Sequence, residues 1–164
     1  GMSGGEDVVP VGVSFEVLAD LRDQAVAKSE NPGPLRTWRH WESPPSQRAA
    51  GEHLTTEDMC HEVVMPKTQD QRCALVDLVG AELKGQATVF VSHAWAYRFT
   101  DTIAALESAG LHTNPSSRVW FDLVLNSQWD TARRPFEWWT GTFAGAIRGI
   151  GHTLLVASPW DDPQ

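Results

Sequence analysis

No apolar run in this chain of 164 residues approaches the roughly 20 residues that a membrane span requires. Basic residues are scarce, 13 Lys and Arg against 21 Asp and Glu, for a formal net charge of −8. A nucleic-acid binder needs a basic surface to neutralise phosphates, and a membrane-surface helix needs a basic polar face, so both partner classes are set aside. Cysteine is limited to Cys60 and Cys73, which form no C-x-x-C pair and cannot build a disulfide framework. Cys60 adjoins His61, but a metal centre needs more ligands than these, so no metal is expected. Residues 1–7 carry neither a basic n-region nor an apolar h-region, and the expected location is cytoplasmic. Tyrosine is nearly absent, one against eight tryptophans. Trp is large and stiff and belongs in cores or interfaces, so the positions of these eight matter.

The chain changes character along its length. Residues 1–14 read as a flexible or extended lead-in. Phe15, Leu18, Leu21 and Ala25 fall on one face of a helix that Ser14 caps. Asn31-Pro32-Gly33-Pro34 stops it, and residues 31–51 have the composition of a linker, with Trp38 and Trp41 as packing anchors. Thr55 is placed to cap a second helix, with Asp58 reaching back and Pro66 as its end. Cys73, Val76, Val79 and Leu83 suggest a third amphipathic helix over 69–83, closed by Gly85.

From residue 87 the pattern becomes β-α-β-α-β. Ala87 to Val91 is a β-branched apolar run of the kind buried on both faces of a sheet. Phe99, Ile103 and Leu106 mark a helix ended by Gly110. Arg118 to Val124 is a second strand, followed by a polar loop over 126–134 expected to be mobile. Pro135 opens a helix that Gly151 caps, and Thr153 to Ala157 is the third strand. This alternation predicts an α/β fold with a parallel sheet of three strands. An open α/β sheet normally has about five or six strands, so the domain is expected to be truncated at its C-terminus.

Ligands of parallel sheets sit beyond the carboxyl ends of the strands. Those ends carry Ser92-His93-Ala94-Trp95, Asp122 to Asp130, and Ser158-Pro159-Trp160. The first turn has no glycine, which excludes a dinucleotide fingerprint or phosphate loop of the usual kind. Ser92 and His93 are neighbours on a strand and point to opposite faces, so they do not make a nucleophile–base dyad. Asp122 would hold a metal only beside an acidic pair at the end of the first strand, and Ser92-His93 is no such pair.

The segments Val89-Phe90-Val91-Ser92-His93-Ala94, Val119-Trp120-Phe121-Asp122 and Leu154-Leu155-Val156-Ala157-Ser158-Pro159 stand in this order around a polar loop. The arrangement resembles a Toll/interleukin-1 receptor (TIR) domain, in particular the branch of algae and other protists with a Ser-His-Ala-Trp signature. The similarity runs over about residues 55–163. It implies a flavodoxin-like fold at 52–164, preceded by an N-terminal helical extension with a Pro-rich linker at 1–51. It also implies one of two functions. One is a signalling module assembling through homotypic protein contacts, with no cofactor required. The alternative is an NAD-cleaving hydrolase, with NAD as substrate and a catalytic glutamate beyond residue 164; no catalytic residue is then assigned within the chain. On the NAD side the resemblance places Ser92, His93, Trp95 and Trp129. Trp95 stacks on a ligand ring in that reading and is a core or cap residue in the other. A flavodoxin-like domain of unrelated role is the third option.

In the helix after Pro135, Phe136, Trp139, Phe143, Ile147 and Ile150 gather on one side and are expected to face the sheet. Trp138, Gly141, Gly145 and Gly149 fall on the other. Glycine in an exposed helix costs about 1 kcal/mol relative to alanine. This face is therefore a candidate interface, with relief of local crowding or of the helix end as the alternative.

Overall fold

The computed structural model describes residues 10–30, 54–130 and 135–157, the side chains of residues 29, 30, 136 and 139 excepted. The expected linker, the chain end after Ala157 and residues 131–134 lie outside this range. The elements are β1 (Val11–Val13), α1 (Phe15–Glu30), α2 (Thr56–Met59), a π-helical turn (Cys60–Val64), α3 (Met65–Thr68), β2 (Lys84–Gln86), β3 (Val89–Ser92), α4 (Phe99–Ser108), β4 (Val119–Trp120), α5 (Asp122–Leu125), α6 (Phe136–Ile150) and β5 (Thr153–Leu155).

The fold is α/β, but its sheet is mixed and has five strands in the order β2-β1-β4-β3-β5. β3 pairs in parallel with β4 and β5, as the β-α-β-α-β pattern predicts. β1 and β2 are additional. β1 runs antiparallel to both β2 and β4 and fills the space between them. Each has three residues and a central glycine, Gly12 or Gly85, so neither offers the alternating or β-branched run that marks a strand. Gly12 is required by contact: a Cβ there would lie 2.8 Å from the carbonyl carbon of Arg118 and 2.9 Å from the Cα of Ala87. Residues 11–30, assigned from the sequence to an N-terminal extension, thus share the sheet and core with everything that follows.

Side chains alternate across the strands and build two layers. Val89, Val91, Val119 and Phe121 join Leu18 and Leu21 of α1, Ile103 and Leu106 of α4, and Val63 and Val64 of the π-helical turn in the larger core. Phe90 and Trp120 point the other way, stacked with ring centroids 4.8 Å apart, and meet Phe143, Ala146 and Ile150 of α6. Arg22 of α1 pairs with Glu107 of α4 on the outside of the first layer.

The helix at 56–68 begins as the sequence predicts. The Thr55 hydroxyl accepts from the Asp58 backbone N–H at 3.1 Å, and the Asp58 carboxylate accepts from Thr55 N at 2.9 Å. Pro66 does not end it. The preceding turn widens to a π-helix, in which Met65 N donates to Cys60 O, and the chain continues to Thr68. A proline lacks the N–H and crowds the carbonyl four residues back, and the wider turn accommodates both. The predicted helix at 69–83 is absent. Arg72 takes a left-handed φ of 48°, and two 3-10 turns, Leu75–Leu78 and Ala81–Leu83, follow, with Gly85 inside β2. The second parallel strand is also shorter than its apolar run. It stops at Trp120, and Asp122 opens α5.

Candidate functional site

The carboxyl ends of β3 and β4 bring His93, Trp95 and Asp122 together. His93 follows β3 and stacks on Phe121, centroids 4.3 Å apart, so it enters the first layer. Ser92 is in register with Leu155 of β5 and faces the α6 side. The two neighbours diverge as strand geometry requires, and no Ser–His dyad forms. The backbone carbonyl of Ser92 accepts from Val156 N at 2.9 Å, closing the sheet against β5.

Asp122 is the hub of the cluster. Its Oδ2 accepts from the Trp95 indole N–H at 2.6 Å and its Oδ1 from Leu123 N at 2.9 Å. His93 Nε2 lies 3.9 Å from the same Oδ1 and has no hydrogen-bond partner among the described residues. Burial lifts the Asp122 carboxyl to about 6, against the lowering effect of its hydrogen bonds from Trp95 and the backbone. Burial lowers the His93 imidazole to about 4. At neutral pH the carboxylate is therefore charged and the imidazole is not.

Cys60, on the π-helical turn, places its thiol 3.6 Å from Gln128 Oε1. Burial pushes that thiol up to about 12, with the negative charges of Glu57 and Asp122 adding to the effect, so it is no nucleophile at neutral pH. The Gln128 amide donates to the carbonyls of Asp122, Leu123 and Asn126 at 3.3, 3.3 and 2.9 Å. Trp129 is held from the other helix: its indole N–H donates to Thr68 Oγ1 at 2.8 Å, under the Arg72 guanidinium. The described part of the 126–134 loop, residues 126–130, is thus docked through Gln128 and Trp129 rather than free.

Of the residues placed on the NAD side, His93 and Trp95 converge on Asp122, while Ser92 and Trp129 are bound elsewhere. Both indole N–H groups serve acceptors within the chain. Sequence reading missed Cys60, Gln128, Thr68 and Arg72. These come from three separate stretches with no motif among them, and only the fold assembles them. Among the described residues no cluster of three or more His, Cys, Asp and Glu is placed to hold a metal, and no helix is long and apolar enough to cross a membrane.

The second surface is the α6 side. Trp138 is 36% exposed, and a Cβ on Gly141 or Gly145 would meet no atom of the described residues outside the local helix within 4 Å. Gly149, next on that face, is half-buried. Phe143 and Ile150 face the sheet as expected, joined by Ala146, but Ile147 does not. It stays 42% exposed, because it flanks the packed stripe and no element among the described residues covers its outer side. The expected core positions Phe136 and Trp139 lie outside the described side chains. Leu155 of β5 points to the α6 side in register with Ser92 and is 71% exposed. Set against known protein families, curated proteins and solved structures, the chain matches none.

Proposed function

We propose that this chain is a TIR-like interaction module that assembles with further copies of itself. The observation that carries the reading is the outer face of α6, where Trp138 is 36% exposed beside Gly141 and Gly145, at which a Cβ would meet no described atom outside the helix within 4 Å. Tryptophan is among the residues enriched at the energetic centres of protein interfaces. Small residues four apart let a second backbone approach closely. The parallel strands support the flavodoxin-like part of the reading. The first of them in sequence, β3, lies between β4 and β5, the 2-1-3 order with which that fold begins.

The NAD-cleaving alternative gains nothing from the site. Trp95, its ring-stacking candidate, is tied through its N–H to Asp122, Trp129 is tied to Thr68, and the catalytic glutamate is placed by resemblance beyond residue 164. Sedimentation across a concentration series tests the assembly reading. The parent is expected to self-associate, and Trp138→Ala and Gly145→Leu to do so at least about ten-fold more weakly, as for residues worth over 1.4 kcal/mol at a contact. A parent that stays monomeric at every concentration, or variants that assemble as it does, would overturn it.

A further inference from the structure

The His93 imidazole is sealed, with 1% of its side-chain surface exposed, yet its Nε2 has no partner among the described residues. A buried polar atom without a partner is costly and rare. The group it faces, Asp122 Oδ1, is 3.9 Å away, beyond hydrogen-bonding range. Two ionisable groups therefore confront each other across a gap that a shared proton would close. The other oxygen, Oδ2, is the acceptor for the Trp95 indole at 2.6 Å, a bond strengthened by the negative charge of the carboxylate.

We infer that His93 and Asp122 act as a one-proton switch: uptake of a proton on acidification draws the two side chains into a hydrogen bond and loosens the hold of Asp122 on Trp95. The carboxyl, lifted by burial to about 6, takes the proton before the imidazole, which burial lowers to about 4. The new O–H on Oδ1 then donates to Nε2, and the pair passes from charge −1 to neutral. The Trp95 N–H keeps an acceptor but loses its charged partner.

The surroundings leave this pair as the group that responds. The Cys60 thiol, pushed up to about 12, stays protonated throughout. Glu57, one turn earlier, acts on Cys60. His61 and Glu62 complete the titratable groups of the π-helical turn. Asp77, on the 3-10 turn against α5, has its carboxylate on Ala74 N at 3.2 Å. Among the described residues no Lys or Arg pairs with Asp122.

The consequence reaches beyond the pair. Trp95 belongs to the turn after β3, whose carbonyls at Trp95 and Tyr97 accept from Glu57 N and Thr56 N, both at 3.2 Å. Those are N–H groups of the first turn of α2. Releasing the indole therefore relaxes the seat of α2.

Nuclear magnetic resonance of the full chain between pH 4.5 and 7.5 tests the switch, with the Trp95 indole signal identified by its loss in Trp95→Phe. The Trp95 indole N–H and the His93 ring signals are expected to move together with one midpoint, and the protection of Glu57 N, relative to the exchange of an unstructured amide at the same pH, is expected to fall below it. Asp122→Asn abolishes the transition. His93→Gln, whose amide can donate permanently to Oδ1, moves the midpoint to lower pH, and it serves alone where Asp122→Asn does not fold. A Trp95 signal that does not move with pH overturns the proposal. So does a midpoint unchanged in His93→Gln, or a transition that persists in Asp122→Asn.

Discussion

The guanidinium of Arg72 lies over the indole of Trp129, 5.1 Å from the ring centroid, on a backbone held at φ 48°. A non-glycine residue in the left-handed region is strained, and the stack offsets part of that strain. The two substitutions that remove the stack should therefore differ. Arg72→Ala loses the contact and keeps the strained φ, while Arg72→Gly loses the contact and relieves it. Urea unfolding should find the glycine variant more stable than the alanine variant by about 1 kcal/mol. Equal stabilities would mean the strain is not real.

The same indole depends on Thr68, which is buried and donates its hydroxyl to Val64 O at 2.9 Å. Thr68→Val keeps the shape and removes the acceptor. The cost should be about 1–3 kcal/mol, as for an orphaned polar group. Hydrogen exchange over 126–130 should rise with it, whereas Thr68→Ser should retain most of the protection.

Protonation of His93 and Asp122 should leave a concealed signature in stability. The folded Asp122 carboxyl sits at about 6 instead of 3.8, so its contribution is present in acid and lost as pH rises through 6. The folded His93 imidazole sits at about 4 instead of 6.5, so its contribution is present above 6.5 and lost as pH falls through 4. The windows overlap and the signs oppose, so the parent should show little pH dependence from this pair between 4 and 6. Single substitutions unmask each half. His93→Phe, which offers Asp122 no donor, should become less stable as pH rises over that range, and Asp122→Asn more stable, each by up to about 3 kcal/mol at 1.36 kcal/mol per pKa unit. Denaturant midpoints at pH 4.5 and 7 decide the matter; equal slopes for the two variants would refute it.

Two glycines should respond oppositely to the same change. Gly145→Ala adds a methyl group in open space on a helix, and should stabilise the fold by up to about 1 kcal/mol. Gly12→Ala drives a Cβ onto backbone atoms of Arg118 and Ala87, and should destabilise it by about 1–3 kcal/mol. Thermal melts of the two variants against the parent measure both.

The sequence exposed the parts of the fold that are periodic or capped. The stripe of α4, the Thr55–Asp58 box, the β-branched run at 89–91 and the left-handed Gly151 that accepts the end of α6 all state their structure locally. β1 and β2 state nothing locally, since three residues around a glycine become a strand only when neighbours supply the hydrogen bonds. The periodic reading of 69–83 failed because apolar spacing carries no information about the φ of Arg72. The site was legible to the same degree. His93, Trp95 and Asp122 could be placed at strand ends, but which atom meets which depends on α5 beginning one residue after Phe121. The contributions of Cys60 and Gln128 follow from the docking of the π-helical turn, which no local pattern encodes.

The position of β1 governs how the chain can reach this structure. Val13 pairs with Lys84 on one side and with Val119 on the other, so the first of the described strands lies inside the sheet and both its partners are distant in the chain. Closing such long loops is entropically costly before any contact rewards it, and sheets dominated by distant pairings fold slowly. The β3-α4-β4 unit, with its nearby partners, is the natural nucleus. β1 then enters as a wedge between β4 and β2, a late step whose rate should respond to Gly12 more strongly than to any residue of α6.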